Sequence, residues 1–188
     1  LTELISWARE PGRIVKFAHA GVGSLAHFCG LLIVDALKIK ADQVPYRGGG
    51  PALNDVMAGH VDLTCASLVA GEYVRAGTVK GFAVSSKERA KSLPDVPSLV
   101  EAGYPGLEMN SWHALYTRAG TPPAVIATLN TALKAALTDP KVVAAFEQTG
   151  VSLYPVAQQT PEAAMNILRD DIKRWGDIIR ANNIAPPG

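Results

Sequence analysis

The sequence predicts an α/β fold: a parallel-sheet lobe over residues 1–108, followed by a strand and helices over residues 109–188 that belong to a second, incomplete lobe. Three observations carry this. Short β-branched runs alternate with helix-periodic runs as far as residue 85, the pattern of a parallel sheet with helical crossovers. Two strand-to-helix junctions are glycine turns, Gly21-Val22-Gly23-Ser24 and Gly48-Gly49-Gly50-Pro51. Beyond Thr121 the apolar spacing is almost wholly helical, with apolar faces that need a partner surface.

Taken in order, Thr2 to Arg9 reads as a short helix with Thr2 as N-cap and Pro11-Gly12 as its stop. Arg13 to Ala20 is the first strand, and a helix begins near Gly23 or Ser24. That helix carries Leu25, Phe28, Cys29, Leu32, Val34, Leu37 and Ile39, apolar on most sides, as a helix packed on a sheet is. Gln43 to Arg47 is the second strand, followed by a helix from Pro51 through Met57 that Gly59 closes. Val61 to Ser67 is the third strand, Leu68 to Ala76 the third helix, and Val79 to Ser85 the fourth strand. Pro94, Pro97 and Pro105 punctuate a connecting segment with a short helix at Ser98 to Ala102, and Leu107 to Tyr116 reads as a strand. Thr121-Pro122-Pro123, Asp139-Pro140 and Thr160-Pro161-Glu162 open three helices in turn, with Leu153-Tyr154 a candidate short strand between the last two.

Composition narrows the function. At 188 residues the chain is one domain or two small lobes, and 48% apolar with 19% charged residues is an ordinary globular balance. Eighteen Lys and Arg offset seventeen Asp and Glu, with no block of like charge, so nucleic acid and membrane surfaces are not expected partners. The apolar runs are too short and broken for a transmembrane helix. The chain opens on Leu and shows no signal peptide, so the expectation is a processed or truncated product whose compartment its own N-terminus does not reveal. Four scattered His and two Cys show no metal-ligand spacing, and no metal is expected. Cys29 and Cys65 are read as buried free thiols, with a disulfide left open for an oxidising compartment.

In open parallel sheets, ligands sit beyond the carboxyl ends of the strands. Those ends are Ala20 to Ser24, Tyr46 to Gly50 and Ala66 to Leu68, with Ser85-Ser86 at the fourth. A helix start leaves backbone N–H groups unpaired and its dipole favours an anion there. Gly21 and Gly23 keep side chains away from those donors, Ser24 adds a hydroxyl, and His27 lies one turn on along the same helix face.

Two enzymatic readings compete. Gly21-Val22-Gly23-Ser24-Leu25-Ala26 fits the G-x-G-x-x-A dinucleotide fingerprint, but the second strand ends in Tyr46-Arg47 rather than in an acidic residue. Arg47 would suit a 2′-phosphate, so an NADP-dependent oxidoreductase is the alternative function. Ser24 and His27, with Asp55 or Asp62 as orienter, would be a hydrolase set, but their spacing does not recreate a nucleophile's strained turn. Ser24 is read instead as a helix cap and His27 as a residue of the cleft edge. Asp55 reads as a solvating helix-face charge, Asp62 as a charge at a strand's start, His19 as a hydrogen-bonded sheet residue, and Trp112 and Trp175 as packing residues.

An ordered set of segments resembles the Bug/TctC family of periplasmic solute-binding receptors of tripartite tricarboxylate transporters. It runs from Phe17-Ala18-His19-Ala20-Gly21-Val22-Gly23-Ser24-Leu25-Ala26-His27 to Val44-Pro45-Tyr46-Arg47-Gly48-Gly49-Gly50-Pro51 and on to Ala58-Gly59-His60-Val61-Asp62-Leu63. Phe82-Ala83-Val84-Ser85-Ser86, Leu93-Pro94-Asp95-Val96-Pro97-Ser98 and Ala119-Gly120-Thr121-Pro122 follow in the family's order. The resemblance implies a type II periplasmic-binding-protein fold, two α/β lobes closing on a small carboxylate. It implies no enzyme activity and no cofactor. The ligand would be a di- or tricarboxylate, an amino acid or an aromatic acid, passed to a membrane permease.

Carried over by position, Ala20, Gly21, Val22, Gly23 and Ser24 would supply or border the donors, with His27 beside them. Tyr46, Gly48, Gly49 and Ser67 would line the same cleft. Family members usually begin well upstream, so one jaw of the clamp is expected to be missing here, with a homodimer or swapped assembly as a way to complete it. Ala114 stands where the family more often has Gly, and Thr117-Arg118 where it more often has Ala-Pro.

Overall fold

The computed structural model describes residues 1–181, which group into two compact units, Leu1–Ser111 and the residues from Trp112 onward. Residues 182–188, at the end of the second predicted segment, lie outside the described residues.

The first unit is built on three parallel strands, β1 (Val15–His19), β2 (Ala41–Pro45) and β3 (Leu63–Thr64), in the order β2-β1-β3. β1 is central. It pairs with β2 from Val15 opposite Ala41 to His19 opposite Pro45, and with β3 through Phe17 opposite Leu63 and Ala18 opposite Thr64. Alternation along β1 explains both packed faces. Phe17 meets the backbone of Gly30 in α2 (Leu25–Leu37), while Val15 packs with Leu37 and Ile39 and with Ala8 of α1 (Thr2–Ala8). On the opposite face Ala18 packs with Val61 and with Ala52 of α3 (Gly49–Met57). A central strand covered on both sides is what a parallel sheet requires.

Several boundaries differ from the sequence expectation for physical reasons. Leu1, not Thr2, caps α1, and it supplies no side-chain cap. β3 is two residues long because the chain turns away after Thr64 into a 3₁₀ turn at Leu68–Ala70 and α4 (Gly71–Arg75). The predicted fourth strand does not join the sheet. Val84 instead makes one parallel bridge to Ser98, its N–H donating to Pro97 O at 2.9 Å and its O accepting from Leu99 N at 2.9 Å. Val84, Leu93 and Val96 bury each other there as a small separate cluster. The expected helix at Ser98 to Ala102 is a single turn closed by a reciprocal box. Glu101 Oε2 accepts from Ser98 N at 2.9 Å, and Ser98 Oγ accepts from Glu101 N at 3.0 Å.

The predicted strand at Leu107 to Tyr116 is also absent. Met109 N donates to Ser85 O at 3.0 Å and Ser85 Oγ donates to Met109 O at 2.8 Å, but no ladder continues. Leu107 and Met109 are buried, but the alternation does not carry on as one covered face, and Leu115 is 78% exposed.

The second unit is helical: α5 (Pro123–Thr138), α6 (Pro140–Gln148) and α7 (Pro161–Ala181). Asp139 caps α6 by accepting from Lys141 N at 2.8 Å, and Thr160 Oγ1 accepts from Ala163 N at 3.1 Å at the start of α7. Leu153-Tyr154 forms no strand; Tyr154 O accepts from the Gln159 side chain at 2.7 Å. Trp112, half-buried, donates from Nε1 to Asp171 on α7 at 2.5 Å. Val125, Leu129 and Ile172 remain substantially exposed on these helices.

Candidate functional site

The site is assembled where β1 and β2 end. β1 delivers His19 and Ala20, and the chain reverses into α2 through Gly21 (φ 108°) and Gly23 (φ 79°), a left-handed region that residues with a Cβ rarely occupy. Ser24 is the N-cap in extended conformation, and its Oγ accepts from His27 N at 3.2 Å. Ser24 N donates to Gly21 O at 3.2 Å, and Gly23 N donates to His27 Nδ1 at 3.2 Å. Two of the turn's donors are therefore consumed inside it. The N–H groups of Gly21, Val22, Leu25 and Ala26 have no hydrogen-bond partner among the described residues. Val22 and Leu25 are 47% and 38% exposed, and Gly21 and Ala26 are half-buried.

The turn into α3 stands beside it. Tyr46 N donates to His19 O at 2.9 Å, and a Cβ on Gly21 would sit 3.5 Å from Tyr46 O. Gly48 is the N-cap of α3 in fully extended conformation, and a Cβ at Gly48, Gly49 or Gly50 would meet nothing within 4 Å. Glycine here serves access rather than conformation: it leaves the backbone bare before an open surface. Two neighbouring helix N-termini thus face the ends of two paired strands.

Of the residues singled out in the sequence, Ala20, Gly21, Val22, Gly23, Ser24 and His27 form one continuous turn. Tyr46, Gly48 and Gly49 form the adjoining one. The Tyr46 hydroxyl points away to α3, donating to Asp55 Oδ2 at 2.6 Å. Asp55 Oδ1 also lies 3.4 Å from His60 Nδ1. The hydrogen bond from Tyr46, then that from His60, holds the Asp55 carboxyl below the usual carboxylate range. Asp55 is therefore more than a solvating charge; it fixes the tyrosine. Asp62 has its expected structural role, its carboxylate accepting from Lys16 N at 2.7 Å. Ser67 is exposed at the cap position of the 3₁₀ turn.

The cysteine expectation is corrected. Cys29 of α2 and Cys65, just past β3, form a disulfide with Cα atoms 6.3 Å apart, within the ordinary bridging span. The bridge ties the segment that leads to Ser67 to the helix that follows the Gly21-to-Ser24 turn. Adjacent side chains can be matched only once α2 is laid on the sheet, which is why spacing alone did not decide the pairing.

His19 was the residue the sequence reading undervalued. It is 1% exposed, its Nδ1 has no partner, and its ring packs on His27 with centroids 4.4 Å apart. Its position in the Val15, Phe17, His19 alternation was the available signal. Burial, and secondarily His19, hold the His27 pKa below the ordinary imidazole value.

Chemically, the arrangement offers neutral and backbone donors to an anion. Ser24 Oγ acts as an acceptor for backbone and makes no bond to the His27 ring, so no nucleophile–base pair is assembled. No cluster of three or more His, Cys, Asp or Glu placed to hold a metal occurs among the described residues. No helix among them is long and apolar enough to cross a membrane.

Known proteins carry the same framework. The family model described as the tripartite tricarboxylate transporter family receptor matches residues 1–184. A protein of Agrobacterium vitis, the UPF0065 protein in the TAR-I ttuE-ttuC' intergenic region, is 36% identical over 180 residues, covering 94% of this chain and 51% of its own length. The structure of the periplasmic binding protein BugD superposes with a TM-score of 0.87 at 31% identity, over 98% of this chain and 62% of that one. MatC of Rhodopseudomonas palustris, solved with bound malate, gives 0.85 at 33% identity, over 95% of this chain and 61% of that one. The chain thus spans about half the length of the first relative and under two thirds of these structures. Its α/β fold, with a parallel sheet and glycine turns at the strand ends, is that of the periplasmic binding proteins, and the chain belongs to the tripartite tricarboxylate transporter receptor (TctC/Bug) family.

Proposed function

We propose that this chain is the carboxylate-gripping part of an extracytoplasmic solute-binding receptor, without catalytic activity, that serves a tripartite tricarboxylate permease from the periplasm. The carrying observation is the turn from Gly21 to Ala26, whose four uncommitted N–H groups lie at the start of α2 beside the second bare helix start at Gly48 and Gly49. In this reading residues 1–108 are one ligand-binding lobe and the residues from 109 onward return to the other. The malate in the MatC structure supports a small dicarboxylate as ligand class.

The energetics require more than this turn. A carboxylate at a helix N-terminus gains about 0.3–2 kcal/mol from the dipole, whereas micromolar affinity needs about 8 kcal/mol. The rest must come from groups facing the turn, from a second lobe or another copy of the chain. Calorimetric titration of the purified chain with malate tests this. Monomeric chain should bind malate more weakly than micromolar and show no response to NADPH. Saturable NADPH binding, with malate inert at every concentration, would replace the receptor by the oxidoreductase.

A further inference from the structure

This inference rests on the carboxylate reading and concerns how the turn is held. We infer that His27 is a positioning residue of the anion-binding turn: its neutral imidazole, accepting at Nδ1, holds the Gly23 N–H inside and leaves Gly21, Val22, Leu25 and Ala26 as the donors offered to a ligand. The hydrogen bond from Gly23 N to His27 Nδ1 at 3.2 Å fixes the tautomer, because an accepting Nδ1 places the ring proton on Nε2. The same residue is tied at its backbone, where His27 N donates to Ser24 Oγ at 3.2 Å. With Ser24 N bound to Gly21 O, each side of the Gly21-to-Ser24 loop has one internal bond. Of these, only the bond to the imidazole can be switched by a proton.

The surroundings favour the neutral ring. On β1 the one ionisable neighbour is His19, itself buried, with its ring 4.4 Å from that of His27. The first turn of α2 carries no acidic residue, and Cys29 is bridged to Cys65 and does not titrate. On β2 the same side of the sheet presents Gln43 beside Gly30 and Pro45 opposite His19, while Asp42 alternates to the other side opposite Lys16. The 3₁₀ turn Pro105–Leu107 near α2 has no ionisable side chain. Among the described residues, then, no carboxylate stabilises an imidazolium, in keeping with the lowered His27 pKa. A proton on Nδ1 would set two donors against each other, and the Gly23 bond would open.

Because the folded-state pKa of His27 is depressed, the unfolded chain binds its proton first. Stability from this group is complete above the ordinary value of 6.5 and is lost as pH falls from there through the folded value. Acidification should therefore loosen the turn.

The test compares the chain with His27→Asn, whose Oδ1 supplies an acceptor that does not titrate, and with His27→Leu, which supplies none. Nitrogen-15 spectra of the histidine rings at about pH 7.5 should show His27 protonated on Nε2. The amide protection factor of Gly23 should be alike in wild type and His27→Asn and about three- to tenfold lower in His27→Leu. On lowering the pH below 6.5 and through the folded value it should fall in wild type and stay constant in His27→Asn. Malate affinity should follow the same order, the Asn variant correcting for the ligand's own titration. A proton found on Nδ1, Gly23 protection unchanged in His27→Leu, or one pH profile for wild type and Asn variant would overturn the assignment. If the Gly23 pattern holds while the chain binds NADPH saturably and malate is inert at every concentration, the His27 role stands and the malate-receptor reading fails.

Discussion

The disulfide between Cys29 and Cys65 makes the sharpest prediction about this fold. It closes a loop with a sequence separation of 36, which contains most of α2, all of β2 and α3, and β3. In the chain-entropy account a loop of that length costs the unfolded chain about 13 cal/mol/K, or about 4 kcal/mol at 25 °C. Stability of the whole native state is on the order of 5–15 kcal/mol, so the bridge is a large share of it. Replacing Cys29 and Cys65 together by Ala, both at small apolar cost, should lower the urea unfolding free energy by about 2–5 kcal/mol. Reducing the wild type with an excess of dithiol should move its transition to nearly the same midpoint, and reduction should leave the double variant unaffected. Equal midpoints for oxidised and reduced wild type would refute the entropic reasoning. Two free thiols titrated in the unreduced native chain would refute the bridge itself.

Two further perturbations probe the packing and charge around the site. A Cβ on Gly30 would lie 2.8 Å from Phe17 Cδ1 and Cε1 and 3.0 Å from Gln43 Oε1, and Phe17 is 2% exposed and walled in. Gly30→Ala gains about 1 kcal/mol of helix propensity but meets about 1–3 kcal/mol of overpacking, so thermal unfolding should drop by roughly 2–4 °C, and Phe17→Leu added to it should recover the loss. A rise in melting temperature in the single variant would contradict the contact. Tyr46→Phe removes the first cause of the Asp55 shift, so carbon-13 titration should show that carboxyl moving up toward its ordinary 3.8. The sign follows from linkage: the depressed folded value gives Asp55 stability that is complete above 3.8 and lost as pH falls through the folded value, so the variant should lose less on acidification. An unmoved titration would show that His60 or solvent, rather than Tyr46, sets the shift.

How much of this was legible in the sequence depends on how local the cause was. Ser24 as N-cap, the two glycine reversals and the proline-opened helices α5, α6 and α7 follow from rules acting over four residues, and the structure has them within a residue or two. The segment at Val79 to Ser85 is β-branched and glycine-flanked, which predicts extended backbone. Extended backbone becomes a strand only with a partner, and Val84 found one residue, Ser98, instead of a sheet edge. Leu107 to Tyr116 failed the same way. The disulfide, the His19–His27 stack and the Tyr46–Asp55 bond join residues across the sheet or across a helix turn from different elements. Such pairs depend on the rotation of α2 and α3 about their own axes, which no single segment encodes.

The two ends of α2 are satisfied in different ways. At its C-terminus the last carbonyls are answered within the chain: Leu37 O accepts from Arg9 Nε and Nη2 at 3.1 and 2.7 Å, and Lys38 and Ile39 N–H groups bond back to Asp35 and Val34 O. At its N-terminus the opposite holds, with four donors around the turn unanswered. A helix start leaves such donors to side chains, solvent or a ligand, so this is the end of α2 with hydrogen-bonding capacity to offer the anion of the proposed receptor. In the proposed receptor a carboxylate would take the place of solvent at those donors with little loss in hydrogen bonding. The displacement is favourable only if the donors need not be reordered. Gly30 pressed on Phe17 holds α2 against the sheet, the Cys29 bridge ties it to the segment after β3, and the Ser24 cap closes the helix's own first turn. These restraints lie at the end of α2 where the donors are open, which is the distribution that the proposed anion-binding role calls for.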